Sequence, residues 1–328
     1  MTLNRTFRLA RYLLHALLLS VLLLPVASPA AAQSSGPDQT LTGQLTLIYG
    51  DGQRGAGDTH QVVLLTTDSG QRVLLSIDPV LAASAGGLET LNRQRVSVEA
   101  QETGGETLRV VSIRPLGSLS RSTVSGSHPW VTILCRFSDS TGVTPQPKTY
   151  FDGFLLGSAY PAMDHYWREV SYDMVNLNGS AVAGWFNLPH PRSYYVYNFY
   201  GDSNPDLDWD RAAADCTAVA DAEIYFPDYD GINLMFNQTL DCCAWGGSNV
   251  MTLDGQTKVY RMTWEPPWGY ADIGVIAHEM GHGFGFPHSS GPYTATYDSQ
   301  WDVMSSAWGA CRSPDPTYGC IATHTISY

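Results

Sequence analysis

The sequence predicts an α+β protein built in two parts, a small all-β unit followed by a larger domain of mixed strands and helices. Three observations carry this. Between residues 38 and 116, five short runs of strand-like composition are separated by turn residues. From Trp130 onward, apolar strand-like runs alternate with helix-like segments. Between the two parts, PLGSLSRSTVSGSH (115–128) is rich in Ser and Gly and poor in apolar side chains, as linkers are.

Residues 1–32 stand outside the fold. Arg5, Arg8 and Arg11 open the chain, Ala16 to Ala27 is a short leucine-rich run, and Ala30-Ala31-Ala32 supplies small residues for cleavage before Gln33. This is the layout of a secretory signal peptide. The run is shorter than the roughly 20 residues a membrane span needs, so no stable anchor is expected after cleavage, and the protein is expected outside the cell. No cysteine near the cleavage site suggests a lipid anchor.

The first folded part, 33–116, has strand candidates at Leu41–Tyr49, Gln61–Thr66, Gln71–Ile77, Arg95–Ala100 and Thr107–Ile113, with turns at Asp68-Ser69-Gly70 and Gly104-Gly105. Five strands in so short a span suggest a small OB-like barrel or a sandwich. The linker is bounded at 117–129, and Arg121 within it is a candidate processing site. The β unit is therefore either a propeptide or an accessory domain; linker composition does not decide between them.

The second part, 130–328, opens with an apolar strand at Trp130–Phe137. A helix is expected from Pro161 to Ser171, where proline fits the first turn. A strand follows at Ala181–Leu188, then a helix from Asp208 to Ala222 with Asp208 as N-cap. Strands at Ile232–Phe236 and Val259–Thr263 precede a helix at Asp272–Gly283. Trp245-Gly246-Gly247-Ser248 reads as a turn, with close approach of a substrate backbone as the alternative.

Acidic residues dominate: Lys+Arg 18 against Asp+Glu 31 gives −13, and removing the three leader arginines deepens this to −16. Such a surface repels nucleic acid and anionic membranes. The six cysteines (135, 216, 242, 243, 311 and 320) all lie in the second part. An even number in an exported chain reads as disulfides. Cys311 and Cys320 bracket a Pro-rich loop they can close, whereas the adjacent Cys242 and Cys243 are expected to take different partners.

Residues 278–288 read HEMGHGFGFPH. His278 and His282 are four apart, which on a helix puts both imidazoles on one face about 6 Å apart along the axis. Both can then reach one metal ion at about 2.0–2.1 Å. Glu279 is placed to hydrogen-bond a water on that metal rather than to ligate it. Gly285 permits the helix to end in a sharp turn, Pro287 stiffens the exit, and His288 returns as a third nitrogen. Three protein ligands with one open position is the pattern of catalytic zinc. Histidines at such spacing also cap or pack ordinary helices, but the extended pattern argues against that. Downstream, YDSQWDVMSS (297–306) carries Met304, which taken alone reads as an ordinary core methionine.

The pair HEMGHGFGFPH and YDSQWDVMSS resembles the metzincin zinc peptidases with their Met-turn. SYDMVNLNGSAVAGWFNLPHPRSYY (171–195) and DYDGINLMFN (228–237) are similar to the immune inhibitor A and gametolysin-like secreted peptidases. The resemblance implies a metzincin catalytic domain, a twisted mixed sheet over the active-site helix, and cleavage of protein or peptide substrates. It carries over zinc ligation to His278, His282 and His288, the general base to Glu279, and the Met-turn to Met304. Two departures stand out. Ser306 occupies the place two residues after Met304 where some metzincins have tyrosine. Only 24 residues follow Met304, without a helical pattern, so the domain is expected to be truncated or to close differently.

Beyond Zn2+, the alternating oxygen donors Asp202, Asn204, Asp206, Asp208 and Asp210 allow Ca2+, although no EF-hand glycine or closing glutamate follows. His165, His190 and His324 read as ordinary surface or core residues, and Asp298 as a lesser alternative for the third ligand. With no cysteine in the β unit, a thiolate latency switch is excluded; an aspartate such as Asp51 can serve, but nothing in the sequence marks it. Two other functions compete with an endopeptidase: a binding or adhesion protein that retains the fold without turnover, against which the intact Glu279 argues, and a zinc enzyme acting on a small ester or amide.

Overall fold

The computed structural model describes residues 39–53, 59–103, 106–117, 124–198, 205–289, 297–308, 311 and 313–325. The proposed signal peptide, Arg121, Asp202 and Asn204 lie outside them. Among the described residues no helix is long and apolar enough to cross a membrane.

The first part is a closed five-stranded barrel. Its strands are β1 (Gln39–Gly52), β2 (Thr59–Thr67), β3 (Arg72–Ser76), β4 (Arg95–Glu102) and β5 (Thr107–Pro115). They close in the order β1–β2–β3–β5–β4–β1, all antiparallel except β3 with β5. Two short helices, α1 (Pro79–Ser84) and α2 (Leu88–Leu91), connect β3 to β4. The two-residue side-chain period of a strand fills the barrel. Leu45, Leu47 and Tyr49 of β1 point inward against Val63, Leu65, Val96 and Val98. All five strands lie where their composition predicts, with ends that differ by at most three residues.

The second part continues the same sheet. Its strands are β7 (Trp130–Arg136), β9 (Ala181–Asn187), β12 (Gly231–Phe236), β13 (Cys243–Leu253) and β14 (Gln256–Glu265). The order β1-β13-β14-β12-β7-β9 runs antiparallel at β1–β13–β14 and parallel thereafter. Helices cover both faces, so the central strands β7 and β12 are apolar almost throughout, as buried parallel strands are. On one face lies α6 (Trp209–Ala220), against Val131, Ile133, Ile232 and Leu234. On the other lie α3 (Lys148–Leu156), α4 (Met163–Val170) and α7 (Ile273–Phe284), packed on Trp130, Leu134 and Met235. Minor pairs complete the fold: β6 (Gly126–Ser127) with β8 (Val175–Asn176), and β10 (Val196–Tyr197) with β11 (Asp206–Leu207), the latter beside α5 (Arg192–Tyr195).

Asp208 caps α6 as its sequence position predicts, accepting a hydrogen bond from the Arg211 backbone amide at 3.0 Å. Three disulfides account for all six cysteines. Cys135–Cys216 ties β7 to α6, and Cys311–Cys320 closes the expected loop. The third corrects the sequence expectation: Cys242 and Cys243 pair with each other. Trp245 to Ser248 also depart from the reading as a turn, because they lie within β13.

The glycines there do serve close approach, but of this chain's own backbone. A Cβ on Gly247 would collide with the Leu47 carbonyl of β1, and one on Gly246 with the Glu279 carbonyl of α7.

Candidate metal centre

Helix α7 carries HEMGH and is buried along its whole length. Its C-terminus is a Schellman turn. Gly285, at φ 101°, donates to the His282 carbonyl at 2.9 Å, and Phe286 donates to the Gly281 carbonyl at 3.0 Å. The left-handed backbone that glycine tolerates thus reverses the chain, as Gly285 predicts. His288 returns to the face that carries His278 and His282.

The three Nε2 atoms converge. His282 Nε2 lies 3.0 Å from His278 Nε2 and 3.1 Å from His288 Nε2. The other nitrogen of two rings is anchored to backbone: His278 Nδ1 donates to the Val303 carbonyl at 2.5 Å, and His282 Nδ1 to the Phe286 carbonyl at 2.7 Å. With those protons on Nδ1, the facing Nε2 atoms present lone pairs to each other. A cation between them turns this repulsion into ligation. Tetrahedral bonds of about 2.0–2.1 Å set ligand atoms roughly 3.3 Å apart, close to the spacing here. The donor set therefore fits a divalent metal such as zinc.

A fourth group joins them from the barrel. Asp51, near the end of β1, places Oδ1 2.8 Å from His288 Nε2 and Oδ2 3.2 and 3.4 Å from those of His278 and His282. The result is a buried His/His/His/Asp cluster consistent with metal binding. Tyr49, two residues earlier and so on the same face of β1, stacks on the His282 ring at 4.2 Å between centroids. Tyr297 donates its hydroxyl proton to Asp51 and accepts one from Thr59. Neither Tyr49 nor Tyr297 stands out in the sequence, because contacts across more than 200 residues leave no local pattern.

Charges at the centre follow from burial. Burial alone would raise the Asp51 carboxyl, but the His278 charge and the histidine hydrogen bonds outweigh it and hold the group well below its ordinary value. His278 is conversely held above its ordinary value by Asp51, against the pull of burial. Positive charge is thus favoured where a cation would sit. Burial pushes His282 down to about 3, which keeps its imidazole neutral.

Glu279 is fully buried, and neither carboxylate oxygen has a hydrogen-bond partner among the described residues. Burial, then the charges of Asp51 and Glu265, raise its carboxyl well above the ordinary value. Glu265, at the end of β14, is equally buried and raised by burial and by Asp51. A cavity of about 510 Å³ opens beside them, lined by Asp51, His278, Glu279, Tyr297, Ser306 and Trp308 among others.

Met304 lies under α7, its thioether against Gly281, where a Cβ would collide with the sulfur. The turn around it is organised by Asp302, fully buried, which accepts from Ser289 Oγ at 2.5 Å and from the Met304 amide at 3.0 Å. That turn aims the Val303 carbonyl at His278. Asp298 is not among the converging ligand atoms. His165 and His324 lie 3.6 Å from Glu169 oxygens, and His190 packs on Tyr194, all apart from the cluster. Of the acidic stretch, Asp208 pairs with Arg211 and Asp210 with Arg72. Compared with protein-family models and with curated proteins, the chain matches none.

Proposed function

We propose that the chain is a secreted zinc-dependent endopeptidase of the metzincin type, in which His278, His282 and His288 hold the metal and Glu279 is the general base. The observation that carries this is the meeting of three imidazole nitrogens at one point, with Glu279 on the helix that carries two of them. Bound there, zinc supplies Lewis acidity, polarising a scissile carbonyl and acidifying a water molecule. Glu279 takes the attacking water's proton on its carboxylate and returns it to the leaving amide nitrogen; a carboxyl raised by burial is suited to hold that proton. Met304 packs beneath the helix and fixes its height. On this reading, residues 1–32 direct export, 130–328 form the catalytic domain, and 33–116 form an OB-like unit. The barrel order β1–β2–β3–β5–β4–β1 supports that last assignment.

The test is digestion of casein or gelatin with and without a chelator. Chelator-sensitive cleavage is expected. Glu279→Gln should keep the metal and lose about 10²–10⁴ in rate, the usual worth of a general base. His282→Ala should lose metal and activity together. Cleavage by Glu279→Gln at the unsubstituted rate would sink the assignment.

One observation favours a second reading. Structural zinc sites are closed by four protein ligands, whereas catalytic sites keep one position open. Asp51 supplies a fourth. A non-catalytic binding protein that keeps the metal for stability would look like this, and it would show no cleavage under any condition.

A further inference from the structure

We infer that Cys242, Cys243 and His60 form a second metal site, opened by reduction of the Cys242–Cys243 disulfide and taking one soft, thiophilic cation. It shares no residue with the histidine centre of α7 and stands independently of the function proposed for that centre.

The bond between adjacent cysteines is the first observation. A disulfide stabilises largely by restricting the unfolded chain, and the restriction grows with the loop it closes. Cys135–Cys216 spans 81 residues and Cys311–Cys320 spans nine, whereas Cys242–Cys243 spans one and closes no loop. As a staple it is worth little, which leaves its chemistry as its use.

Second, the sheet brings a histidine to the pair. His60 of β2 lies opposite Gly50 of β1, Gly50 opposite Trp245 of β13, and Gly52 opposite Cys243. Ile48 packs in the core under α6, so Gly50 and Gly52, at steps of two along β1, face the same way. Neither has a side chain, and side chains of β2 and β13 therefore meet across β1. The Trp245 ring fills the place of a Gly50 Cβ and lies 5.8 Å from the His60 ring. One imidazole nitrogen of His60 and the two Sγ atoms all lie within 4.8 Å of one another.

Third, the pair is accessible and held from behind. Cys242 is half-buried and His60 exposed, and both line a cavity of about 720 Å³ with Arg192, Trp209 and Trp268. Asp241 fixes the turn that carries the cysteines. Its Oδ1 accepts from the Cys243 amide at 3.1 Å and from Trp245 Nε1 at 2.9 Å. Both sulfurs thus keep their place when the bond between them opens.

The reductant is a dithiol. One of its thiolates attacks Cys242 Sγ, the more accessible sulfur, and Cys243 leaves as a thiolate. The second thiolate attacks the reductant's own sulfur in that mixed disulfide and frees Cys242. The reductant departs as a cyclic disulfide, and two electrons and two protons have passed to the pair. A cation then displaces the thiol protons and takes both sulfurs and the His60 nitrogen. Thiolates select soft ions such as Cu+ and also suit Zn2+. Tetrahedral bonds of about 2.3 Å to sulfur and 2.0–2.1 Å to nitrogen set such atoms roughly 3.6 Å apart, a gap that rotation of the exposed His60 ring closes.

The full chain is titrated with Cd2+ before and after treatment with a phosphine reductant, following the ultraviolet sulfur-to-cadmium charge-transfer band. The histidine centre offers no thiolate and is silent there. Untreated chain should show no band. Reduced chain should bind one Cd2+ with the band, and alkylation with mass spectrometry should find Cys242 and Cys243 modified. Cys242→Ser with Cys243→Ser should abolish the band. His60→Ala should keep both thiols and raise the Cd2+ Kd at least about tenfold. A pair that stays oxidised in the folded chain would overturn the site. So would a band that survives in the double serine variant, or His60→Ala binding as tightly as the unsubstituted chain. Should the serine variant misfold, His60→Ala decides, because His60 is exposed.

Discussion

The barrel and the mixed sheet each bury a core of their own, yet they carry their information differently. In the barrel, strand-like composition between turn residues marks every strand, and nothing in that pattern separates Asp51 from any other polar residue. In the mixed sheet, the chemistry is concentrated on one helix, where the spacing of His278, Glu279 and His282 follows from the helical repeat. A local motif is legible because its members are neighbours in sequence and in space. A ligand delivered by a strand from across the molecule is visible only once the register of β1 on β13 is known.

That difference is open to attack, beginning with the largest stability effect. The mixed sheet is stapled by Cys135–Cys216, which joins β7 to α6 across 81 residues, while the barrel has no cysteine. Replacing both cysteines by alanine should cost about 2–5 kcal/mol, the usual worth of a native disulfide in an exported domain. The loss should appear as a lower thermal midpoint for the mixed sheet, followed by tryptophan fluorescence, because all nine tryptophans lie at or after Trp130. An unchanged midpoint would mean that the packing of α6 alone carries that face.

Smaller in scale, the adjacent glycines of β13 separate the two regions within one dipeptide. Gly246→Ala drives a methyl into the α7 backbone at Glu279, and Gly247→Ala drives one into β1 at Leu47. Each should cost about 1–3 kcal/mol, as overpacking does. The readouts should diverge. Gly246→Ala should weaken metal binding, while Gly247→Ala should spare the metal and loosen the barrel, seen as faster proteolysis. Identical behaviour of the two variants would show that barrel and helix move as one body.

How much was legible follows the same division. The five barrel strands, the Asp208 cap, the Gly285 turn and the return of His288 all rest on local rules, and the structure shows each where those rules put it. Strand β13 was missed because Trp245-Gly-Gly-Ser carries the composition of a turn; its glycines are there to admit two neighbouring backbones. Cys242–Cys243 was missed because adjacent cysteines were expected to find separate partners. Helix α3 was missed too: it begins after Pro147 with no side-chain cap, so no start signal marks it.

The smallest effect concerns a barrel arginine, Arg93, that touches α7's end. Arg93 donates from Nη2 to the Phe284 carbonyl at 2.7 Å, over Gly285. A cation at a helix C-terminus is favourable, by about 0.3–1 kcal/mol at exposed sites, and a hydrogen bond to a charged group adds about 1.5–3 kcal/mol. Burial, and then the neighbouring Arg261 charge, oppose this and push the guanidinium down to about 10. The opposed effects leave Arg93→Ala a net loss of about 0.5–1 kcal/mol, or roughly 1–4 °C in the midpoint at this chain size. The more telling readout is metal release into a chelator. Phe284 directly precedes the turn that presents the Phe286 carbonyl to His282 and returns His288. If the barrel braces the metal centre through that turn, release should quicken several-fold in Arg93→Ala. If the barrel acts on the centre through Asp51 alone, the midpoint will fall and the release rate will stay where it was.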